Sequence, residues 1–166
     1  MAEIYVYCDA LAEDRRQNPQ DDIITALALA EIDGDRLSKE ELNMFFVTLV
    51  VAGNETTRNL ISHSMVAILN EPGLKEQLVA GIDDDELWTS ATEEFLRWGA
   101  SIHNFRRTAT VDTEIAGQAI KAGDKVVIYY PAANRDPNHF ADADVFDARR
   151  TPNDHVTFGG GGTHFC

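Results

Sequence analysis

The chain has 166 residues, 44% hydrophobic and 25% charged, which fits one ordinary soluble globular domain and excludes disordered and collagen-like classes. Asp and Glu number 28 against 14 Lys and Arg, a net charge of −14, and that field repels phosphate backbones, so no nucleic-acid partner is expected. The longest apolar stretch, Met44 to Gly53, is far shorter than the roughly 20 residues of a spanning helix, so no membrane partner is expected either.

The amino terminus lacks a basic segment followed by an apolar one, so no secretory signal is read and the cytoplasm is the expected compartment. Residues 1–17 read as the end of an amphipathic helix closed by Asn18-Pro19. Asp21-Asp22 offers an N-cap for a second helix to about Glu31, and Asp33-Gly34-Asp35 is a turn. Ser38 and Glu41 have capping-box spacing, and no proline follows until Pro72, which predicts one helix over about 39–70 with a buried, mostly apolar middle.

Pro72 to Gly81 reads as a short helix, and Asp83-Asp84-Asp85 opens another that runs to about Trp98. Past Gly99 the pattern changes to short β-type runs at Phe105–Thr110, Thr113–Ala116 and Lys125–Tyr130, predicting a small antiparallel sheet. From Pro131 the chain is rich in Pro, Asn, Asp and Gly and reads as irregular over Asn134–Gly162. So long a loop is uncommon in a compact domain unless function requires it.

Three motifs stand out. Phe158 to Cys166 places four consecutive glycines beside His164 and Cys166. A flexible loop is the plain reading; a P-loop lacks its Gly-Lys-Ser/Thr, and a zinc site from His155, His164 and Cys166 lacks a fourth ligand. Glycines that admit a flat cofactor, with a thiolate on its metal, fit better. Cys8, the other cysteine, supports no disulfide framework.

Ala52-Gly-Asn-Glu-Thr-Thr57 interrupts the long helix with poor helix formers and a carboxylate. It reads either as a helix crossing with Glu55 paired to an arginine, or as a groove in which Thr56 bonds back toward Ala52 and Glu55 supplies protons. Glu94 and Arg97 stand three apart on one helical face, the commonest form of ordinary surface pairing. Nearby Leu96 and Trp98 favour burial, a buried arginine needs more than one partner, and Arg149 or Arg150 could share the network.

In this order and spacing, the three motifs resemble those of bacterial cytochromes P450, haem-thiolate monooxygenases. The resemblance implies a mainly α fold with a small antiparallel β region, a partial cytochrome P450 fold: long central helix, Glu-x-x-Arg helix, β region, meander and haem-ligand loop. Ala52–Thr57 resembles the oxygen-activating stretch, Glu94 and Arg97 the Glu-x-x-Arg pair, and Phe146-Asp-Ala-Arg-Arg150 the meander, with Arg150 as third member of a structural triad. Phe158–Cys166 resembles the haem-ligand loop.

The implied cofactor is heme b with Cys166 as its thiolate metal ligand and Arg107, His164 and Phe158 in cofactor-binding places. Glu55 and Thr56 take the catalytic, proton-delivering places. Val51, Ala52, Ile102, His103 and Asn104 are candidate substrate contacts, His103 having a structural alternative. Implied partners are ferredoxin and ferredoxin reductase and a hydrophobic substrate of steroid, fatty acid or terpenoid class. Eight of the fourteen basic residues lie between Arg97 and Arg150, where an acidic donor could dock. Asn54–Asn59, Tyr130–Asp136 and the four glycines are most similar to actinobacterial hydroxylases of steroids and branched lipids.

Departures are the eight-residue step from Phe158 to Cys166, where seven is commonest in the family, and the lack of proline in Ala100-Ser-Ile102. The family's amino-terminal half and the helix after its cysteine have no counterpart, so residues 1–166 read as a single incomplete haem-binding domain. As it stands the chain is expected not to be a working monooxygenase. The alternative expectation is a truncated, non-catalytic chain that binds haem weakly or not at all and acts at most as an interaction module.

Overall fold

The structure, a computed structural model, describes residues 2–160. Among these residues six helices and six short strands follow one another in two compact units, divided between residues 55 and 56.

In the first unit, α1 (Ala2–Gln17) and α2 (Ile23–Leu29) pack with the start of α3 (Lys39–Asn70) around Cys8, Ala12, Ala28 and Leu42. Asp22 caps α2 by accepting from the Thr25 amide at 2.7 Å. Its other oxygen meets Arg15 Nε at 2.5 Å. The Arg15 hydrogen bond, followed by the Thr25 amide, lowers the Asp22 carboxyl from its ordinary 3.8 to about 2. A depressed folded-state value contributes stability above the unfolded value and loses it as pH falls. Asp22→Asn is therefore expected to flatten the acid side of the stability curve between about pH 4 and pH 2, a change that urea titrations across that range would read.

The helix expected to reach Glu31 stops at Leu29, because β1 (Glu31–Ile32) pairs antiparallel with β2 (Asp35–Arg36) across the turn at Asp33-Gly34. Both turn residues have positive φ, 54° and 88°, which suits glycine and tolerates aspartate. The capping box forms as its spacing requires. Ser38 Oγ accepts from the Glu41 amide at 3.2 Å, and Glu41 Oε2 accepts from the Ser38 amide at 2.9 Å.

The 32 residues of α3 extend roughly 48 Å. The expectation that its apolar middle is buried fails: Val50, Val51 and residues 52–55 are exposed, as are Ile61, Met65, Val66 and Leu69. Apolar side chains surround this helix, while each unit covers only one stripe of it. That stripe includes Leu42 and Val47 in the first unit and Ala67 in the second.

The second unit has its core where α4 (Leu74–Ala80) and α5 (Asp85–Gly99) meet the end of α3. Leu87, Ala91 and Phe95 recur at helical spacing and pack with Ala67, Leu74, Leu78 and Ala148. Asp84 caps α5 by accepting from the Leu87 amide at 3.0 Å. Ala100 ends the helix with φ 36°, a left-handed conformation that turns the chain sharply.

The expected single sheet is two separate ladders. β3 (Asn104–Thr108) pairs with β6 (Lys125–Tyr129), while β4 (Thr113–Ile115) pairs with an unanticipated β5 (Gln118–Ile120). The latter hairpin turns at Ala116-Gly117, both with positive φ. Tyr130 leaves the strand it was expected to end and starts a four-residue helix, α6 (Tyr130–Ala133). Pro131 there needs no amide partner.

Candidate functional site

Glu94 and Arg97, on α5, are both fully buried. The i,i+3 spacing sets them on one face, and the guanidinium meets the carboxylate in a fork: Arg97 Nε to Glu94 Oε2 and Nη2 to Oε1, each 2.7 Å. Arg97 also donates to the carbonyls of Asn134 at 2.7 Å, Ala143 at 2.9 Å and Val145 at 3.3 Å.

Arg150, rather than Arg149, completes the triad. Its Nε lies 3.2 and 3.1 Å from the two Glu94 oxygens, and its other nitrogens donate to the carbonyls of Ala141, Asp142 and Val145. Arg149 instead pairs with Asp84. Glu94 receives two more donors, the Asp147 amide at 2.9 Å and Asn153 Nδ2 at 3.1 Å. Burial opposes its ionisation and is the largest single influence on it. The Arg97 hydrogen bonds, the Asp147 amide and the two guanidinium charges together outweigh burial and hold the carboxyl below its ordinary range.

Asn134 is fully buried and was not singled out in the sequence. It accepts from the Val156 amide at 2.9 Å and donates to the Arg97 carbonyl at 3.2 Å and to Thr157 Oγ1 at 2.9 Å. Thr157 in turn donates to the Leu96 carbonyl at 2.8 Å. These bonds tie the end of α5 to residues 156–157, directly before Phe158. The only sequence signal was an asparagine in a proline-flanked irregular stretch, which ordinarily marks a turn. His155, earlier weighed as a zinc ligand, meets Glu93 at 2.9 Å, and no group of three or more His, Cys, Asp or Glu among the described residues is placed to hold a metal.

Arg107 lies on β3 opposite Val126, two residues from Phe105, which pairs with Ile128. Alternation puts these four side chains on one face of the ladder. The Arg107 guanidinium is exposed, 5.7 Å from the Phe105 ring, and donates to the Arg106 carbonyl. No carboxylate among the described residues pairs with it. An apolar sheet face with an uncommitted cation beside it suits a flat, apolar ring system bearing acid groups. Phe158 is likewise exposed, its ring 6.0 Å from His155. Gly159 has φ 82°, and a Cβ at Gly160 would meet nothing within 4 Å among the described residues, so the backbone there is open to close approach. These residues fit haem. His164 and Cys166 lie outside the described residues.

Among the other candidates, Thr56 is half-buried and Glu55 exposed, and neither they nor Ala52 and Arg58 lack a partner. Val51, Ala52, His103 and Asn104 are exposed and Ile102 is half-buried. The structure thus brings together Glu94, Arg97 and Arg150; of the other described candidates, Val51, Ala52, Glu55 and Thr56 lie along α3, Ile102, His103, Asn104 and Arg107 lie on β3 and the segment leading into it, and Phe158 lies beyond α6.

The match to known proteins covers nearly the whole chain. The cytochrome P450 family model matches residues 2–162. The chain is 49% identical over 165 residues to the methyl-branched lipid omega-hydroxylase of Mycobacterium tuberculosis, covering 99% of this chain and 38% of that protein. It is 44% identical over 164 residues to the steroid C26-monooxygenase of Rhodococcus jostii, covering 99% and 34%. A Mycobacterium marinum cytochrome P450 solved with pseudoionone superposes with TM-score 0.88 at 45% identity, covering 99% of this chain and 39% of that one. The chain therefore spans little more than a third of the length of these curated relatives. With the buried Glu94–Arg97–Arg150 cluster in place and the family pattern continuous from one end to the other, the chain belongs to the cytochrome P450 family.

Proposed function

We propose that this chain supplies the haem-ligand, proton-delivery and structural-triad parts of a single haem-binding domain in a monooxygenase that hydroxylates a hydrophobic substrate of steroid, fatty acid or terpenoid class. The observation that carries the reading is the buried cluster at Glu94, because it holds residues 134–157 against α5 and so fixes the stretch that enters the Phe158–Cys166 loop. The names of the relatives, a lipid hydroxylase and a steroid monooxygenase, support the substrate class.

Heme b, held by the Cys166 thiolate, would supply the oxygen chemistry, in which a C–H bond, dioxygen, two electrons and two protons become an alcohol and water. The residues of the chain do the rest. Arg107 and His164 would hold the acid groups of the cofactor, and Phe158 would cover an apolar edge. Thr56 Oγ1 would hold a proton for delivery to the substrate site, and Glu55 would replenish it from solvent, which its exposed position allows. Val51, Ala52, Ile102, His103 and Asn104 contact the substrate. Ferredoxin and its reductase, in the cytoplasm, supply electrons. No helix among the described residues is long and apolar enough to cross a membrane.

The test is haem uptake, read as the absorbance of the reduced, carbon monoxide-treated protein. In a protein completed to the length of its relatives a thiolate-type band is expected, and Cys166→His is expected to abolish it while haem stays bound. A band unchanged by Cys166→His would remove Cys166 as ligand. Failure to take up haem at all would favour the non-catalytic interaction module.

A further inference from the structure

Residues 156–159 make a tight turn at the start of the glycine run. The Gly159 amide donates to the Val156 carbonyl at 2.8 Å, and Gly159 has φ 82°, a conformation that costs glycine nothing. The amides of Val156 and Thr157 are spent on side chains, the first donating to Asn134 Oδ1 at 2.9 Å and the second to His155 Nδ1 at 3.3 Å. Phe158 is the third residue of this turn. Its ring stands 6.0 Å from the His155 imidazole, the planes 57° apart.

Both nitrogens of His155 are engaged. Because Nδ1 accepts from the Thr157 amide it carries no proton, so the proton is on Nε2, which lies 2.9 Å from Glu93 Oε2 and donates to that carboxylate. The two bonds together fix the tautomer and the orientation of the ring. The imidazole is only 5% exposed, whereas half of the Glu93 side chain meets solvent. On the same turn of α5, Glu94 accepts from Asn153 Nδ2 at 3.1 Å and the Leu96 carbonyl accepts from the Thr157 hydroxyl at 2.8 Å. Residues 153, 155 and 157, every second residue of the approach, are thus tied to one helical turn. The tie at His155 lies outside the buried Glu94 cluster and bears on the turn alone.

We propose that His155 is a positioning residue for the cofactor site: as its Nε2-protonated tautomer it latches the Val156–Gly159 turn to Glu93, and so sets where Phe158 and the loop after it lie against haem. The histidine does no chemistry itself and acts through the turn. It suits the task because one rigid ring offers an acceptor close to its own backbone and a donor on the far side. The effect on the cofactor rests on the reading of Phe158–Cys166 as the haem-ligand loop; the tautomer and the latch do not.

Nuclear magnetic resonance of the chain with isotope-labelled histidine is expected to show the His155 proton on Nε2 at neutral pH; a proton on Nδ1 overturns the proposal. His155→Phe keeps a ring and loses both bonds, so the Thr157 amide is expected to exchange with solvent about tenfold faster while amides in the body of α5 keep their wild-type rates. Glu93→Ala is expected to speed the same amide, and Glu93→Gln, which keeps an acceptor for Nε2, to stay close to wild type. No acceleration at Thr157, or equal acceleration throughout α5 as in a protein that is less stable as a whole, overturns the latch. In a protein completed to the length of its relatives, His155→Phe is expected to give a severalfold rise in the share of bound haem that lacks the thiolate-type carbon monoxide band, and Glu93→Gln no rise. An unchanged share in His155→Phe, with only a lower melting temperature, overturns the positioning role and leaves the haem reading intact. A completed wild-type protein with no thiolate band overturns that reading and the positioning of the cofactor with it, and the latch then stands or falls on tautomer and exchange alone.

Discussion

Arg97→Ala is expected to destabilise the protein by about 3–5 kcal/mol, the usual cost of stranding a buried charge by deleting its partner. Arg97 has no exposed surface and makes five hydrogen bonds, two to Glu94 and three to carbonyls. Deleting it leaves the Glu94 carboxylate in a site with no solvent, with only Arg150, Asn153 and the Asp147 amide still facing it. It also strips donors from the carbonyls of Asn134 and Ala143. Arg97→Lys keeps the charge but not the fork, so it should recover only part of the loss.

The same substitution carries a pH signature. In the native protein the Glu94 carboxyl lies below its ordinary value, so its contribution is complete above the unfolded-state value and is lost as pH falls through the folded one. Burial is already the largest single influence on Glu94; without Arg97 it is no longer outweighed and raises the carboxyl instead, so ionisation then works against folding. The stability gap between wild type and Arg97→Ala should therefore widen as pH rises through the carboxylate range. Glu94→Gln combined with Arg97→Ala should cost much less than the two singles added together. Urea titrations at several pH values would decide; a constant gap below 1 kcal/mol would mean that solvent reaches the cluster.

In an enzyme completed to the length of its relatives, Thr56→Ala is expected to keep haem and substrate binding while diverting electrons from hydroxylated product to hydrogen peroxide. The two outcomes balance alike, since dioxygen, two electrons and two protons give either peroxide or, with a C–H bond, alcohol and water. What Thr56 changes is where the second proton arrives. Positioned proton transfer is typically worth about 10²- to 10⁴-fold, so a tenfold or greater fall in the product-to-peroxide ratio is a modest expectation. Glu55→Gln is expected to slow turnover and enlarge the solvent isotope effect, because it keeps the shape and removes the titrating group. Simultaneous measurement of NADH consumed, peroxide and product separates these effects. An unaltered ratio in both variants, accompanied by lower thermal stability, would assign the pair to packing and ion pairing.

The helices were legible wherever local chemistry fixes an end. Ser38 with Glu41, Asp22 before Thr25 and Asp84 before Leu87 all cap as their spacing suggests, and α3 runs over the predicted span. Burial of α3 was misjudged because apolar composition does not say which face a neighbour covers. β5 and α6 were missed because three- and four-residue elements contain too little of a period to be seen. At the site, the Glu94–Arg97 pair was visible as spacing, yet spacing alone favours a surface pair. The preference for Arg150 came from the family pattern. Asn134 stayed hidden, since its partners are 22 to 37 residues away and nothing in its own neighbourhood reveals a buried amide.

The partners of the Glu94 cluster are also far from it in the chain, with Asp147, Arg150 and Asn153 lying 53, 56 and 59 residues beyond it. Closing loops of that length costs conformational entropy before any of these bonds can form, and the cost is shared once the first is made. The order of assembly follows: α5, capped locally at Asp84, gains structure early, and residues 134–157 settle on it late and together. The amides of Asp147 and Val156, each bonded to a side chain within this network, should then open and exchange with solvent as one cooperative foldon rather than residue by residue.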